Sequence, residues 1–246
     1  MSSLAGKVAL VTGASSGLGA ETVRLFSRDG ATVFGIARDT DRLAQVFADV
    51  ESGAYTAGDI GSAAVCRDAV ERCVAEFGRL DVLVNIAGSH RMRRTESMTD
   101  DDWADDLAVN LNGPFFLCRA ALPHLLAAGG NIVNVGSIAG VEGQAYSTGY
   151  CAAKHGLIGL TRALAVEYTA ARLRVNAVCP GGMMTPQIEN FSVPDEADFD
   201  LILRTASPRG MMAPLDVANV IAFLASDAAA AVHGAVYRVD NGKGAG

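Results

Sequence analysis

The chain has 246 residues, half of them hydrophobic and 19% charged, enough apolar material to bury a sizeable core without staples. Its formal net charge of −7 argues against nucleic acid as the main partner, because phosphate binding wants a positive surface. The five cysteines (Cys66, Cys73, Cys118, Cys151, Cys179) are odd in number and form no Cys-x-x-Cys pair, which suits free thiols in a reducing cytosol.

The histidines, His90, His124, His155 and His233, lack metal-ligand spacing, and no metal is expected. The N-terminus shows no charged-then-apolar signal pattern, and no uncharged apolar run is long enough to cross a bilayer. The expectation is a cytoplasmic chain with no membrane partner. Arg91, Arg93 and Arg94 form the one basic cluster and read as a solvated loop.

In chain order, Val8-Ala9-Leu10-Val11 reads as a first strand. Gly13-Ala14-Ser15-Ser16-Gly17-Leu18-Gly19 follows it and opens a helix. Glycines there let the backbone turn tightly and approach a pyrophosphate, which a helix N-terminus stabilises through free N–H groups. The spacing is Gly-x-x-x-Gly-x-Gly, neither the Gly-x-Gly-x-x-Gly fingerprint nor a Walker loop. Thr32–Ile36 is a second strand, followed by Ala37, Arg38 and Asp39.

Ala63 to Phe77 carries Val65, Ala69, Val70, Cys73, Val74 and Phe77 on one side and reads as a helix beginning near Ser62, with Asp59 a candidate N-cap. Further strands are Val82–Val84, Ile132–Val135, Val175–Val178 and Val236–Val239. Continuous apolar runs alternating with helical patterns indicate a parallel sheet buried on both faces. The fold class is α/β: a single-domain, Rossmann-type doubly wound sheet of about seven strands with helices on both faces. Gly181 to Pro214, rich in Met, Pro, Asp and Phe, breaks the rhythm and reads as a lid.

Tyr150 and Lys154 stand at i and i+4 on the helix read from Thr148 to Ala170 and share a face. A free tyrosine, with a pKa of about 10, is a poor base at neutral pH. A neighbouring Lys⁺ and an oxidised nicotinamide would lower it toward the range where acid–base catalysis works best. Ser137 lies just after the Ile132–Val135 strand, thirteen residues before Tyr150.

Taken with the glycine loop, Asn85, Asn110, Ser137, Tyr150, Lys154 and Pro180-Gly181 make the sequence resemble the short-chain dehydrogenase/reductase family along essentially its whole length. The resemblance implies hydride exchange between a nicotinamide cofactor and a carbonyl or secondary alcohol, with Asn110, Ser137, Tyr150 and Lys154 as the catalytic set. It places Gly13, Ser15, Ser16, Gly17, Leu18, Gly19, Arg38, Asp59, Ile60, Asn85, Ala87, Gly88, Tyr150, Lys154, Pro180, Gly181, Met183 and Thr185 around the cofactor.

In this reading Asp59-Ile60 lines the adenine, Thr185 holds the carboxamide, and Asn110 helps hold a water linking Lys154 to solvent. Ile86 replaces the second Asn of the family's Asn-Asn-Ala-Gly. Where NAD-using relatives carry an acid, the chain has Ala37 followed by Arg38, which favours NADP(H), with NAD the alternative.

The substrate pocket is expected from Met92, Val141, Met183, Met184, Phe191 and Phe199, with His90 and Arg91 available to polar groups. Such methionine-rich walls suit an apolar ketone or alcohol. The runners-up are a 3-oxoacyl-[acyl-carrier-protein] reductase, with Arg172 and Arg174 as docking charges, and an NAD-dependent alcohol or hydroxysteroid-type dehydrogenase. A dinucleotide-sensing scaffold is the non-enzyme alternative. Homotetramer assembly is implied by the resemblance, with Leu157, Leu160, Leu164 and Tyr168 the apolar positions of one long helix.

Overall fold

The computed structural model describes residues 4–186 and 192–245. Its described residues build one seven-stranded sheet in the order β3-β2-β1-β4-β5-β6-β7. Every pairing is parallel. The strands are β1 (Val8–Thr12), β2 (Thr32–Ala37), β3 (Gly53–Ala57), β4 (Val82–Asn85), β5 (Asn131–Val135), β6 (Arg174–Pro180) and β7 (Val236–Val239). Five of them are apolar for the most part and buried throughout or nearly so, with Asn134 and Asn176 buried among the apolar residues of β5 and β6, as a sheet covered on both faces requires.

β3 carries no such signal. Gly-Ala-Tyr-Thr-Ala contains no apolar run, and as an edge strand it needs only one partner, β2.

Alternate strand residues feed two cores. Val11, Val33, Val84 and Val133 face α1 (Gly17–Arg28), α2 (Thr40–Phe47) and the late helix Pro214–Ala225. Leu10, Phe34, Leu83 and Ile132 face α3 (Ala63–Phe77), α5 (Gly113–Ala128) and α6 (Thr148–Glu167). The strand order reverses at β1, which has β2 on one side and β4 on the other. The loops leaving the C-terminal ends of these strands therefore diverge and open a crevice, the usual ligand position in such sheets.

α2 is capped by Asp39, whose carboxylate accepts the Arg42 N–H at 3.0 Å. α3 starts at Ser62, whose hydroxyl accepts from the Val65 N–H. Asp59 is not that cap: it folds back one turn earlier to accept the Gly61 N–H at 2.9 Å. α4 (Asp100–Leu107) opens with a reciprocal capping box between Thr99 and Asp102. It continues into α5 through one widened π turn, Ala108–Asn112.

α6 ends at Glu167, earlier than the sequence pattern suggests. On it, Leu157 and Leu164 are core residues, and Leu160 and Tyr168 pack against that core, so these positions do not form a free face. A short helix, α7 (Phe199–Leu203), precedes Pro214–Ala225, which is α8. No helix among the described residues is long and apolar enough to cross a membrane.

Candidate active site

The crevice consists of two adjoining chambers that share Gly13, Ser16, Ala87 and Gly88. The larger, of about 870 Å³, is lined by Ser15, Arg38, Asp59 and Ile60, with Asp39, Arg42 and Arg91 also on its wall. The smaller, of about 200 Å³, is lined by Gly17, Leu18, Gly19, Ser137, Tyr150, Lys154, Pro180, Gly181, Met183 and Thr185.

Gly13 adopts φ 69°, and a Cβ there would sit 3.0 Å from the Ala87 Cα. At Gly19 a Cβ would overlap the Gly13 carbonyl oxygen. Thr12 stitches the opposite wall, its hydroxyl accepting the N–H groups of Ile86 and Ala87, each at 2.9 Å. This narrow glycine cradle at the N-terminus of α1 fits a pyrophosphate, and the paired chambers fit the two halves of a dinucleotide.

Asp39 is committed to Arg42, both through its cap and through an ion pair of 3.3 Å. Arg38 is exposed on the chamber wall.

Two of the expected site residues lie elsewhere. Asn85 ends β4 directly opposite Asn134 of β5. Its amide donates to the Asn134 side chain at 2.8 Å within the sheet and does not line either chamber. Asn110 sits on the widened turn, where its amide donates to the carbonyls of Ser89 and Asp106 and its oxygen accepts the Ser89 N–H. It holds the loop after β4 in place. Gly88 separates it from Lys154: a Cβ on Gly88 would lie 2.8 Å from Asn110 Oδ1 and 3.5 Å from Lys154 Nζ.

Ser137, Tyr150 and Lys154 converge in the smaller chamber. Ser137 caps a short turn, its Oγ accepting the Ala139 N–H at 3.1 Å. That contact leaves the hydroxyl proton free to donate elsewhere. Lys154 is 3% exposed, donates to the Val135 carbonyl at 2.9 Å and stands 5.7 Å from the Tyr150 ring centre.

Burial lowers the Lys154 ammonium to about 8. Burial also pushes the Tyr150 phenol up to about 12, opposed by a hydrogen bond with Ser137. The expected lowering joins Lys154 to an oxidised nicotinamide; in the protein burial of the phenol sets the direction.

His90 lies stacked on the Tyr150 ring, with centroids 4.4 Å apart and planes at 28°. Its position, two residues beyond Gly88 in a loop leaving the C-terminal end of a strand, was the available signal; its stacking partner was not.

The three arginines after it are not a solvated loop. Arg93 is largely buried and pairs with Asp102 at 2.7 Å and Asp106 at 3.7 Å. Arg94 donates to the Glu196 carbonyl at 2.7 Å and more weakly to that of Asp195 at 3.4 Å. Arg91 alone is exposed.

Of the expected pocket walls, Met92 is buried and Met183 lines the smaller chamber. Met184 and Phe199 are 64% and 63% exposed, and Phe191 lies outside the described residues. Arg174 is turned inward, donating to the carbonyls of Leu224 and Ser226. The loop after Ser137 is tied to the last strand by Glu142, which pairs with Arg238 and Lys243. Among the described residues no His/Cys/Asp/Glu cluster suits a metal.

Comparison with known proteins agrees with this geometry. The short chain dehydrogenase family model matches residues 7–195. The short-chain dehydrogenase/reductase ABA4 of Pyricularia oryzae is 40% identical, over 96% of this chain and 91% of that protein. The cis-4-hydroxycyclohexanecarboxylate dehydrogenase of Sinomonas cyclohexanicum is 41% identical, over 96% of each. The crystal structure of 3-ketoacyl-(acyl-carrier-protein) reductase from Brucella melitensis, complexed with NADH, superposes with a TM-score of 0.89 at 31% identity, covering 98% of this chain and 99% of that one. A parallel sheet with its crevice at the β1 crossover, a glycine cradle and relatives of this similarity assign the chain to the short-chain dehydrogenase/reductase family of oxidoreductases.

Proposed function

We propose that this chain interconverts a carbonyl and a secondary alcohol using NADP(H), with Tyr150 as the general acid and base. The observation that carries the reading is the meeting of Ser137, Tyr150 and Lys154 at the end of a glycine-lined cleft. The cofactor's phosphates fit against Gly13 to Gly19, its adenine beside Asp59 and Ile60, and its nicotinamide end near Pro180, Gly181, Met183 and Thr185. When bound, the nicotinamide supplies hydride to the carbonyl carbon or takes it from the alcohol carbon.

Ser137 donates to the substrate oxygen and fixes it beside the phenol. In reduction Tyr150 gives its Oη proton to that oxygen, and Lys154 stabilises the phenolate left behind. In oxidation the same proton returns. Lys154 and Asn110, either side of Gly88, lie on the path by which solvent restores the proton.

The preference for NADP(H) rests on Arg38 and on the commitment of Asp39 to capping α2. A carboxylate held in that way is poorly placed to receive a ribose hydroxyl. NAD is the second reading, favoured by the NADH complex of the Brucella melitensis reductase. Met183, Ile86 and Val135 give the smaller chamber apolar walls, and an apolar substrate is the reading they support. The segment 181–214 acts as its lid. The chain is read as a single cytoplasmic domain, assembling as a homotetramer.

The test is titration of NADPH against NADH with wild type and Arg38→Ala, followed by carbonyl turnover in wild type and Tyr150→Phe. The reading requires NADPH preference that collapses in Arg38→Ala, and turnover lost in Tyr150→Phe. NADH preference unchanged in the Arg38 variant would overturn the cofactor assignment. Tight NADPH binding without turnover of any carbonyl in a broad panel would favour a dinucleotide sensor.

A further inference from the structure

The imidazole of His90 covers one face of the Tyr150 phenol, with ring centres 4.4 Å apart. Its Nε2 lies 2.8 Å from the Ser147 hydroxyl. Ser147 is 1% exposed, sits just before α6, and donates its single proton to the Ala145 carbonyl at 3.2 Å. The contact ties one edge of the imidazole to the start of α6.

Burial, and secondarily the charge of Lys154, pushes the imidazole down to about 4, and the ring is neutral at neutral pH. A planar, neutral ring pinned at one edge is suited to fixing the plane of a second ring by offset stacking. The phenol needs such a constraint, because rotation about the Cα–Cβ bond would swing the ring and carry its hydroxyl oxygen away from Ser137.

We propose that His90 is a positioning residue for Tyr150, blocking the swing of the phenol toward it so that the hydroxyl stays beside Ser137 and the substrate oxygen. The proposal rests on the reading of Tyr150 as the proton carrier. His90 itself moves no proton and touches no reacting atom in this role. Its chemistry is that of a flat wall anchored to the start of the helix that carries the tyrosine.

The test uses the full chain labelled with 3-fluorotyrosine, Tyr150 being identified as the fluorine resonance missing from Tyr150→Phe. In wild type the stacked ring displaces this resonance from its position in denatured protein. His90→Phe keeps an aromatic wall and retains the displacement. His90→Ala and His90→Gln, which lack the wall, lose most of it.

In turnover with NADPH and a carbonyl substrate, His90→Ala loses kcat by about 10- to 100-fold, in the range that small misplacements of a reacting group produce. His90→Phe recovers kcat to within a few-fold, and NADPH binding is unchanged in all three variants. A resonance indifferent to His90, or equal kcat losses in His90→Ala and His90→Phe, overturns the proposal. If Tyr150→Phe is inactive while His90→Ala is fully active, the proposal alone falls. If Tyr150→Phe turns over at the wild-type rate, the catalytic reading falls and takes the proposal with it.

Discussion

The guanidinium of Arg94 stands 5.8 Å from the ring centre of Tyr146, and both residues hold the same distant segment. Arg94 donates to the backbone of Asp195 and Glu196, and the Tyr146 phenolic oxygen accepts the Asp198 N–H at 2.9 Å. Tyr146 itself is held at φ 61°, a backbone state costly for a non-glycine residue. Two loops, one after β4 and one before α6, thus fasten the stretch read as a lid.

Arg94→Ala removes a charged donor worth about 1.5–3 kcal/mol. The expected result is an increase of roughly 10-fold in KM for the carbonyl substrate, with kcat changed less than about 3-fold. Steady-state kinetics check it. A fall in kcat at unchanged KM would show that these contacts do not govern substrate retention.

Gly88→Ala places a methyl 2.8 Å from Asn110 Oδ1, tighter than atoms tolerate. The variant is expected to lose about 1–3 kcal/mol of stability, the usual range for overpacking. Its kcat should fall by more than the lost folded fraction explains, because relief of the Asn110 contact has to shift the loop that lies against Lys154. Urea unfolding and kinetics on the same sample separate the two effects.

Arg42 stands one helical turn beyond Arg38 on the same chamber wall. Arg42→Ala is expected to weaken NADPH binding by about 10-fold and to leave NADH binding unchanged, since a second guanidinium near an extra phosphate adds a charge-assisted contact. Fluorescence titration of both cofactors decides this. Equal weakening of the two would leave the Arg42 side chain only its ion pair with Asp39.

Acid should expose the cost of burying His90. Its imidazole falls from 6.5 to about 4 on folding, so between these values the unfolded chain binds a proton that the folded chain refuses. Stability is therefore full above about pH 6.5 and lost progressively as pH falls toward 4. The contribution is about 1–3 kcal/mol, because a tenfold change in proton affinity is worth about 1.4 kcal/mol and the ring is not wholly enclosed. His90→Phe should flatten this part of the stability profile, seen by comparing urea midpoints at pH 7 and pH 4.5.

Most strands were legible because burial on both faces writes an uninterrupted apolar run, as in Val8–Val11 and Val82–Val84. Tyr150 and Lys154 were legible as neighbours, since residues at i and i+4 on a helix share a face, whereas Asn110 entered only through the family resemblance. What spacing does not carry is which neighbour a side chain chooses. Asn85 bonds across to Asn134 because the sheet register sets them opposite each other. Arg93 finds Asp102 and Asp106 because α4 folds over the loop after β4. The stacking of His90 on Tyr150 likewise depends on loops separated by some sixty positions. Composition described the arginine cluster as solvent-facing; long-range pairing decided otherwise.

The widened turn at Ala108–Asn112 is a splice that absorbs one extra residue without turning the rod on either side of it. Upstream, Asp106 is directed toward Arg93 and Gly149; downstream, Leu117, Ala121 and Leu125 seal the sheet. Removing one residue between Ala108 and Asn112 would restore ordinary α-helix and leave both halves in nearly their present phase. What it would take away is the bulged backbone from which Asn110 reaches Ser89 and Asp106. Single-residue deletions here should therefore spare the fold and free the loop after β4.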